Sequence, residues 1–353
     1  MGSETATRTK APSMDAESVF AEPLFDLGVE NPAWAGIRAP VSSAGAEKVG
    51  VTAQFLEQAD EYHRNYLDTG YWSFLLDNAL RLAGVGAAST ILDIGAGSGN
   101  SVIPLGERFP SARIVATDIS PQLLAILQGH LRDHAADPDR FALVCVDAMD
   151  AHYRGEVADL AVGAAILHHI IDPARVIASC HRALKPGAWA IFVEPFEAGN
   201  TLVKIAYQGI LARASAQERT GAAMQLLERM VADYTVRSRP KDDPIFRRLD
   251  DKWMFTRTYF ERVRDEQGWA ELIVHPINVS PSFVRSQAEV HLRLGAQLAP
   301  QALPPWAWSA IDDIDAGVSA DLRGEWAPEA AVLLRKAGVV SPSPRMTSEA
   351  RPR

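Results

Sequence analysis

The residues most able to do chemistry begin at Asp93, where the chain reads Asp93-Ile94-Gly95-Ala96-Gly97-Ser98-Gly99. Three glycines at alternate positions let a backbone approach a ligand that side chains would exclude. The spacing is G-x-G-x-G, unlike the G-x-G-x-x-G of a dinucleotide loop, and an acid precedes it. A pyrophosphate would be repelled by that carboxylate, whereas an adenosine bearing a sulfonium and an ammonium group would not.

Further acids follow at intervals. Asp118 comes 19 residues after Gly99 and is followed by Ile119. An acid about 20 residues beyond a glycine loop suits a ribose, whose two hydroxyls one carboxylate can accept. Asp147-Ala148 follows the apolar run 141–146; there an acid can accept from an adenine amino group while the next backbone N–H donates to the ring. Ala164-Ala165-Ile166-Leu167-His168-His169 follows another such run, and Glu194 ends the last. His168, His169, Glu194 and His275 are the candidate general bases, the histidines because their pKa lies near working pH. No metal site is expected: His168 and His169 are adjacent and so point differently, and the spacing supplies no third ligand.

Positioning these groups requires strands that end together. Apolar runs at 90–94, 112–117, 141–146, 157–163 and 188–193 alternate with helical patterns at 100–109, 121–134 and 173–184. Ser120-Pro121 is a helix start and Lys185-Pro186-Gly187 a stop. Such alternation implies right-handed crossovers and a parallel sheet covered on both faces, with ligands beyond the carboxyl ends of the strands.

The glycine loop, the acids at successive strand ends, the Leu-His-His run and Leu184-Lys185-Pro186-Gly187 together resemble the class I S-adenosylmethionine-dependent methyltransferases. The resemblance covers residues 89–194, with weaker matches at 270–274 and 330–335. It implies an α/β fold: a doubly wound, mostly parallel, Rossmann-like seven-stranded sheet whose last strand is antiparallel. It also implies S-adenosylmethionine as cofactor, held by Asp93, Gly95, Ala96, Gly97, Gly99, Asp118, Ile119, Asp147, Ala148, Ala164 and Ala165. By the resemblance Asp93 lies near the methionyl ammonium, Asp118 on the ribose and Asp147 on the adenine amine. The Leu-His-His run is a common structural feature of this family, so the structural reading of the two histidines outweighs the catalytic one.

The organisation expected along the chain is a mobile leader (1–45), N-terminal helices (46–88), the cofactor-binding core (89–196), a helical insertion (197–265), a sixth strand (266–280), a second insertion (281–327), a seventh strand (328–340) and a disordered tail (341–353). Both insertions have apolar residues at helical spacing and are expected to form one lid over the strand ends. The aromatic residues concentrated after residue 250 read first as packing the lid onto the sheet; where the lid closes over the strand ends, Trp253 and Tyr259 are the expected substrate contacts.

A formal charge of −9 argues against a polyanion such as nucleic acid as main partner. No apolar run reaches the roughly 18 residues of a membrane span. Two cysteines, without metal-ligand spacing, suit a reducing cytoplasm. The expected function is therefore methylation of a small, partly apolar molecule. The alternatives are a non-catalytic S-adenosylmethionine-binding module and a nicotinamide-dependent dehydrogenase, which the glycine spacing and Asp93 oppose. Substrate, methylated element and oligomeric state are open at this level.

Overall fold

The computed structural model describes residues 16–44 and 52–338. The ends of the expected leader and the expected tail at 341–353 lie outside them.

Nine strands form one sheet in the order β1-β2-β5-β4-β3-β6-β7-β9-β8. The core strands are β3 (Thr90–Ile94), β4 (Arg113–Asp118), β5 (Phe141–Cys145), β6 (Ala158–Ala164) and β7 (Leu184–Pro195). They are parallel, with β3 between β4 and β6. The topological switch therefore falls at β3, whose carboxyl end carries the glycine loop. β9 (Glu329–Arg335) pairs antiparallel with both β7 and β8 (Glu271–Ile277). These are the seven expected strands. Two more, β1 (Leu24–Asp26) and β2 (Arg38–Pro40), form an antiparallel pair whose β2 joins β5. Residues 16–44 are thus not a mobile leader: Phe20 and Ile37 are fully buried, and the pair covers an edge that β5 would otherwise present.

The strands are apolar throughout because both faces are covered. Leu92, Ile94 and Val115 join one core with α5 (Pro173–Ala183) and α8 (Arg257–Gln267), while Ile91, Ile114 and Ala116 join the other with α2 (Thr69–Leu82), α3 (Val102–Arg108) and α4 (Pro121–His134). α2 begins at Thr69, where Asp68 accepts the Tyr71 N–H. Gly70 therefore lies inside its first turn.

A third core joins α6 (Glu197–Arg213), α7 (Ala222–Arg237), α9 (Phe283–Ala296) and α10 (Pro305–Gly317). Both insertions thus contribute to one helical layer. The boundary differs from expectation, because α8 supplies Phe260 and Val263 to the sheet core as a crossover helix before β8.

Candidate active site

At the end of β3 the chain turns sharply. Gly95 and Ala96 both donate backbone N–H bonds to Thr117 O, at 2.8 and 2.9 Å. Gly97 has φ +53°, and a Cβ added there would meet no protein atom within 4 Å. Gly99, at φ +120°, is needed for a different reason: its Cβ would press on Ile103 and Leu127. Asp118 fastens the loop, accepting the Gly97 N–H on Oδ2 and the Ser120 N–H on Oδ1, each at 2.8 Å. Asn100 ties the same loop to the N-terminal helices. Its Oδ1 accepts the Asp68 N–H at 2.9 Å and its Nδ2 donates to Tyr66 O at 3.0 Å. That anchor sets α1 (Ala59–Tyr66) and α2 beside the glycine turn.

The result is a cavity of about 780 Å³. One wall is Gly95, Ala96, Gly97, Asp118, Ile119, Asp147, Ala148, Ala164 and Ala165, so nine of the eleven expected cofactor residues share it. Asp93 and Gly99 lie behind the loop. Asp93 is fully buried and neither oxygen finds a hydrogen-bond partner, so it does not stand at the cavity wall as expected. Burial pushes its carboxyl up to about 7; the nearby Ser101 hydroxyl opposes the rise and the Asp118 charge adds to it. Burial likewise raises Asp147, opposed by the Met149 N–H that its carboxylate accepts at 2.9 Å.

The other walls come from Phe55, Tyr62, Tyr66, Tyr71 and Trp72 at the N-terminal side, from Ile277 and Asn278 after β8, and from Gln287, Val290, Arg293 and Leu294 on α9. The second insertion thus reaches the site directly. Trp253 and Tyr259 do not: they pack with Phe255, whose ring lies parallel to that of Trp253, and the Trp253 indole donates to Ile170 O. Arg237 is buried against Asp233, Asp251 and Trp253 O.

The four candidate bases separate cleanly. His169 lines the cavity. His275 lies exposed on edge strand β8, away from it. Glu194 is buried, and its carboxylate is spent on the turn after β6. Oε1 accepts from Ile166 N (3.1 Å) and Leu167 N (2.7 Å); Oε2 accepts from His168 N (3.1 Å) and His168 Nδ1 (2.7 Å). The clamp holds a backbone in which Ala165 has φ +55°, a conformation costing a non-glycine residue roughly 1 kcal/mol or more. His168 and Glu194 are therefore positioning groups rather than cavity groups.

Sequence reasoning had no means to find Asp251, which closes on both histidines: its Oδ1 lies 3.2 Å from His169 Nδ1 and 3.6 Å from His168 Nε2. Burial pulls both imidazoles down. For His169 the Asp251 carboxylate more than offsets this and the net shift is upward; for His168 the net shift is downward. The α9 residues were also unassigned, because helical spacing shows that a face is buried but not what it faces. Asn100, a polar residue directly after the third glycine, was the one local signal available.

The methyltransferase domain family model matches residues 92–192, from β3 to β7. Together with the glycine loop and the acids on one cavity wall, that match identifies the domain these residues form. The chain carries a class I S-adenosylmethionine-dependent methyltransferase domain. Among its curated relatives, it is 29% identical over 156 residues to the ubiquinone biosynthesis O-methyltransferase of Thiobacillus denitrificans, covering 44% of this chain and 61% of that one. It is 24% identical over 140 residues to the malonyl-[acyl-carrier protein] O-methyltransferase of a Marinomonas species, covering 40% and 50%. The chain thus spans about half to three-fifths of the length of these relatives. A solved phosphoethanolamine N-methyltransferase 2 of Haemonchus contortus superimposes with a TM-score of 0.49 at 14% identity, covering 80% of this chain and 57% of that one.

The residues of the methyltransferase domain fit its cofactor on two observations. Gly97 leaves space on the cavity wall that any side chain would fill, and the unpartnered carboxylate of Asp93 beneath the loop favours a cationic neighbour over a pyrophosphate. No helix among the described residues is long and apolar enough to cross a membrane.

Proposed function

We propose that this chain transfers a methyl group from S-adenosylmethionine to an oxygen of a small, partly apolar molecule. The carrying observation is that one cavity joins the glycine loop to α9 and the N-terminal aromatic residues. Its volume lies in the range of small-molecule sites, about 300–1,000 Å³, with room for a cofactor and an acceptor side by side. Tyr62, Trp72, Ile170 and Val290 supply apolar wall, and His169 supplies a polar group on the same surface. The preference for oxygen is supported by the names of the two curated relatives.

In this reading the Asp118 carboxylate takes the ribose hydroxyls. Asp147 accepts from the adenine amine, and the loop backbone at Gly95–Gly97 runs under the methionyl chain. The cofactor supplies an electrophilic methyl on a sulfonium. The chain's own contribution is to align the acceptor oxygen beside His169 and to exclude water with the aromatic residues of α1 and α2. Cys145 and Cys180 are both buried and are not joined in a disulfide, in keeping with a reducing cytoplasm.

The test is calorimetry with S-adenosylhomocysteine and with NAD, followed by labelled methyl transfer into a metabolite extract and a panel of phenols and hydroxy acids. We expect S-adenosylhomocysteine alone to bind and label to enter an ether or ester. Binding of NAD alone would overturn the reading in favour of a dehydrogenase, and binding without any labelled product would leave a non-catalytic module.

A further inference from the structure

Three side chains beside the cavity are arranged more tightly than a methyl-transfer site requires. His168, His169 and Asp251 each bring one potential ligand atom within 4.8 Å of the others. Two come from the turn after β6 and the third from the segment between α7 and α8, so only the fold assembles them. The Glu194 carboxyl already accepts three backbone N–H groups, two on Oε1 and one on Oε2, and the His168 Nδ1 lies 2.7 Å from that same Oε2, placed to donate to it. The lone pair of His168 is thereby placed on Nε2, which faces Asp251 Oδ1 at 3.6 Å. That separation is too long for a hydrogen bond, and both atoms are lone-pair bearers. His169 Nδ1 lies 3.1 Å from Asp250 O, which can only accept, and 3.2 Å from the same Asp251 oxygen, so its N–H points there and its lone pair too is placed on Nε2; the other oxygen of Asp251 is taken by Arg237 at 3.4 Å.

We propose that His168, His169 and Asp251 bind a divalent transition-metal ion of the zinc or iron class at the margin of the cavity. Two imidazoles and one carboxylate form a donor set that favours such ions over magnesium or calcium, which prefer all-oxygen shells. Bonds of about 2.0–2.2 Å from a central ion place neighbouring ligand atoms roughly 3–3.6 Å apart, and the 3.6 Å between His168 Nε2 and Asp251 Oδ1 falls in that span. The carboxylate on the far nitrogen of His168 is the outer partner that metal-bound imidazoles ordinarily carry; it fixes the tautomer and raises ligand basicity. Three protein donors leave further positions open, the pattern of a reactive ion rather than a structural one.

His169 belongs to the cavity wall, so the ion borders the space assigned to the acceptor. This role, unlike the ion site itself, rests on the methyl-acceptor reading above. An acceptor hydroxyl bound to the ion gives its proton to water: the O–H bond breaks, an O–metal bond forms, and the oxygen is held as the anion that attacks methyl.

The experiment uses cobalt(II) as probe on the full chain, freed of metal by chelation and desalting. His130 and His134 stack on one face of α4, ring centroids 4.7 Å apart, and could bind an ion on their own. The titration is therefore run in a His130→Gln background. We expect one equivalent of cobalt with visible d–d absorption, displaced by zinc, and affinity about tenfold or more lower in Asp251→Asn and in His168→Gln. The substitution Asp251→Cys should add a sulfur-to-cobalt charge-transfer band, which loss of structure could not produce. Absence of a bound equivalent in the His130→Gln protein would overturn the proposal. So would unchanged affinity in both Asp251→Asn and His168→Gln, or cobalt binding by the Asp251→Cys protein without the new band. None of these readouts uses methyl transfer, so failure here leaves the S-adenosylhomocysteine result standing, and the reverse also holds.

Discussion

Replacing Glu194 with glutamine tests whether this residue is a base or a clamp. Its two oxygens accept four hydrogen bonds, three from the consecutive backbone N–H groups of 166–168 and one from the His168 ring. Glutamine keeps one carbonyl oxygen, which can retain the Ile166 and Leu167 donors. The amide NH₂ then occupies the place of Oε2, where it faces the His168 N–H and Nδ1. His168 can change tautomer so that Nδ1 accepts, but the backbone N–H has no such choice and is left buried and unpaired. Two charge-assisted bonds at about 1.5–3 kcal/mol each are lost and one neutral bond of about 1 kcal/mol is regained. The net cost is about 2–5 kcal/mol, and burial leaves no water to lessen it. Thermal unfolding of the apoprotein should show a midpoint lowered by about 5–10 °C. Disorder should centre on 165–169, read as faster amide hydrogen exchange there than in β3. A variant as stable as the parent, with unchanged exchange in that turn but abolished methyl transfer, would refute the clamp and return Glu194 to the catalytic candidates.

Three further predictions concern the cofactor loop and the cavity. Asp93 carries a carboxyl raised to about 7, so between its unfolded value and 7 the folded state holds a proton that the unfolded state has released. Its contribution to stability is full below the unfolded value and is lost progressively as pH rises through 7, by up to about 4 kcal/mol. Urea unfolding at pH 5.5 and 8.5 should show Asp93→Asn narrowing the difference between the two, and an unchanged difference would contradict the buried, unpartnered carboxylate. Asp118→Ala should weaken S-adenosylhomocysteine binding by about 1–3 kcal/mol, and Gly97→Val should abolish it in a protein still folded by circular dichroism; calorimetry decides both, and parental affinity in either would remove the ribose or the loop assignment. Val290→Ala or Leu294→Ala on α9 should raise KM for the acceptor several-fold at nearly constant cofactor affinity, whereas Trp253→Ala should lower the melting temperature first, because it packs against Phe255 away from the cavity; the opposite pattern in steady-state kinetics would put the acceptor contacts back on the first insertion.

What could be read from the residues alone was whatever a short segment dictates. Asp93 to Gly99 specify their turn locally, since positive φ and the space for a ligand are properties of three glycines and their neighbours. Asp118 and Asp147 could be placed because each ends an apolar run, and parallel strands deliver their carboxyl ends to one edge. Nine of the residues that the family resemblance named share one cavity wall. The misplacements have one cause in common: they depend on which distant segments pack together, and periodicity carries no such address. The pair β1–β2 reads as irregular because three-residue strands are too short to show a period, and it is stabilised by an edge of β5 more than a hundred residues away. Glu194 looks like a base at a strand end until the turn after β6 folds its N–H groups onto it. Trp253 and Tyr259 are aromatic in either setting, and packing against Phe255 and Phe260 decided that they belong to the sheet core. Asp251 has no local mark at all. Only the return of the chain from α7 toward α8 brings its carboxylate to His168 and His169, because a charge interaction is set by distance in space and the sequence separation does not enter it.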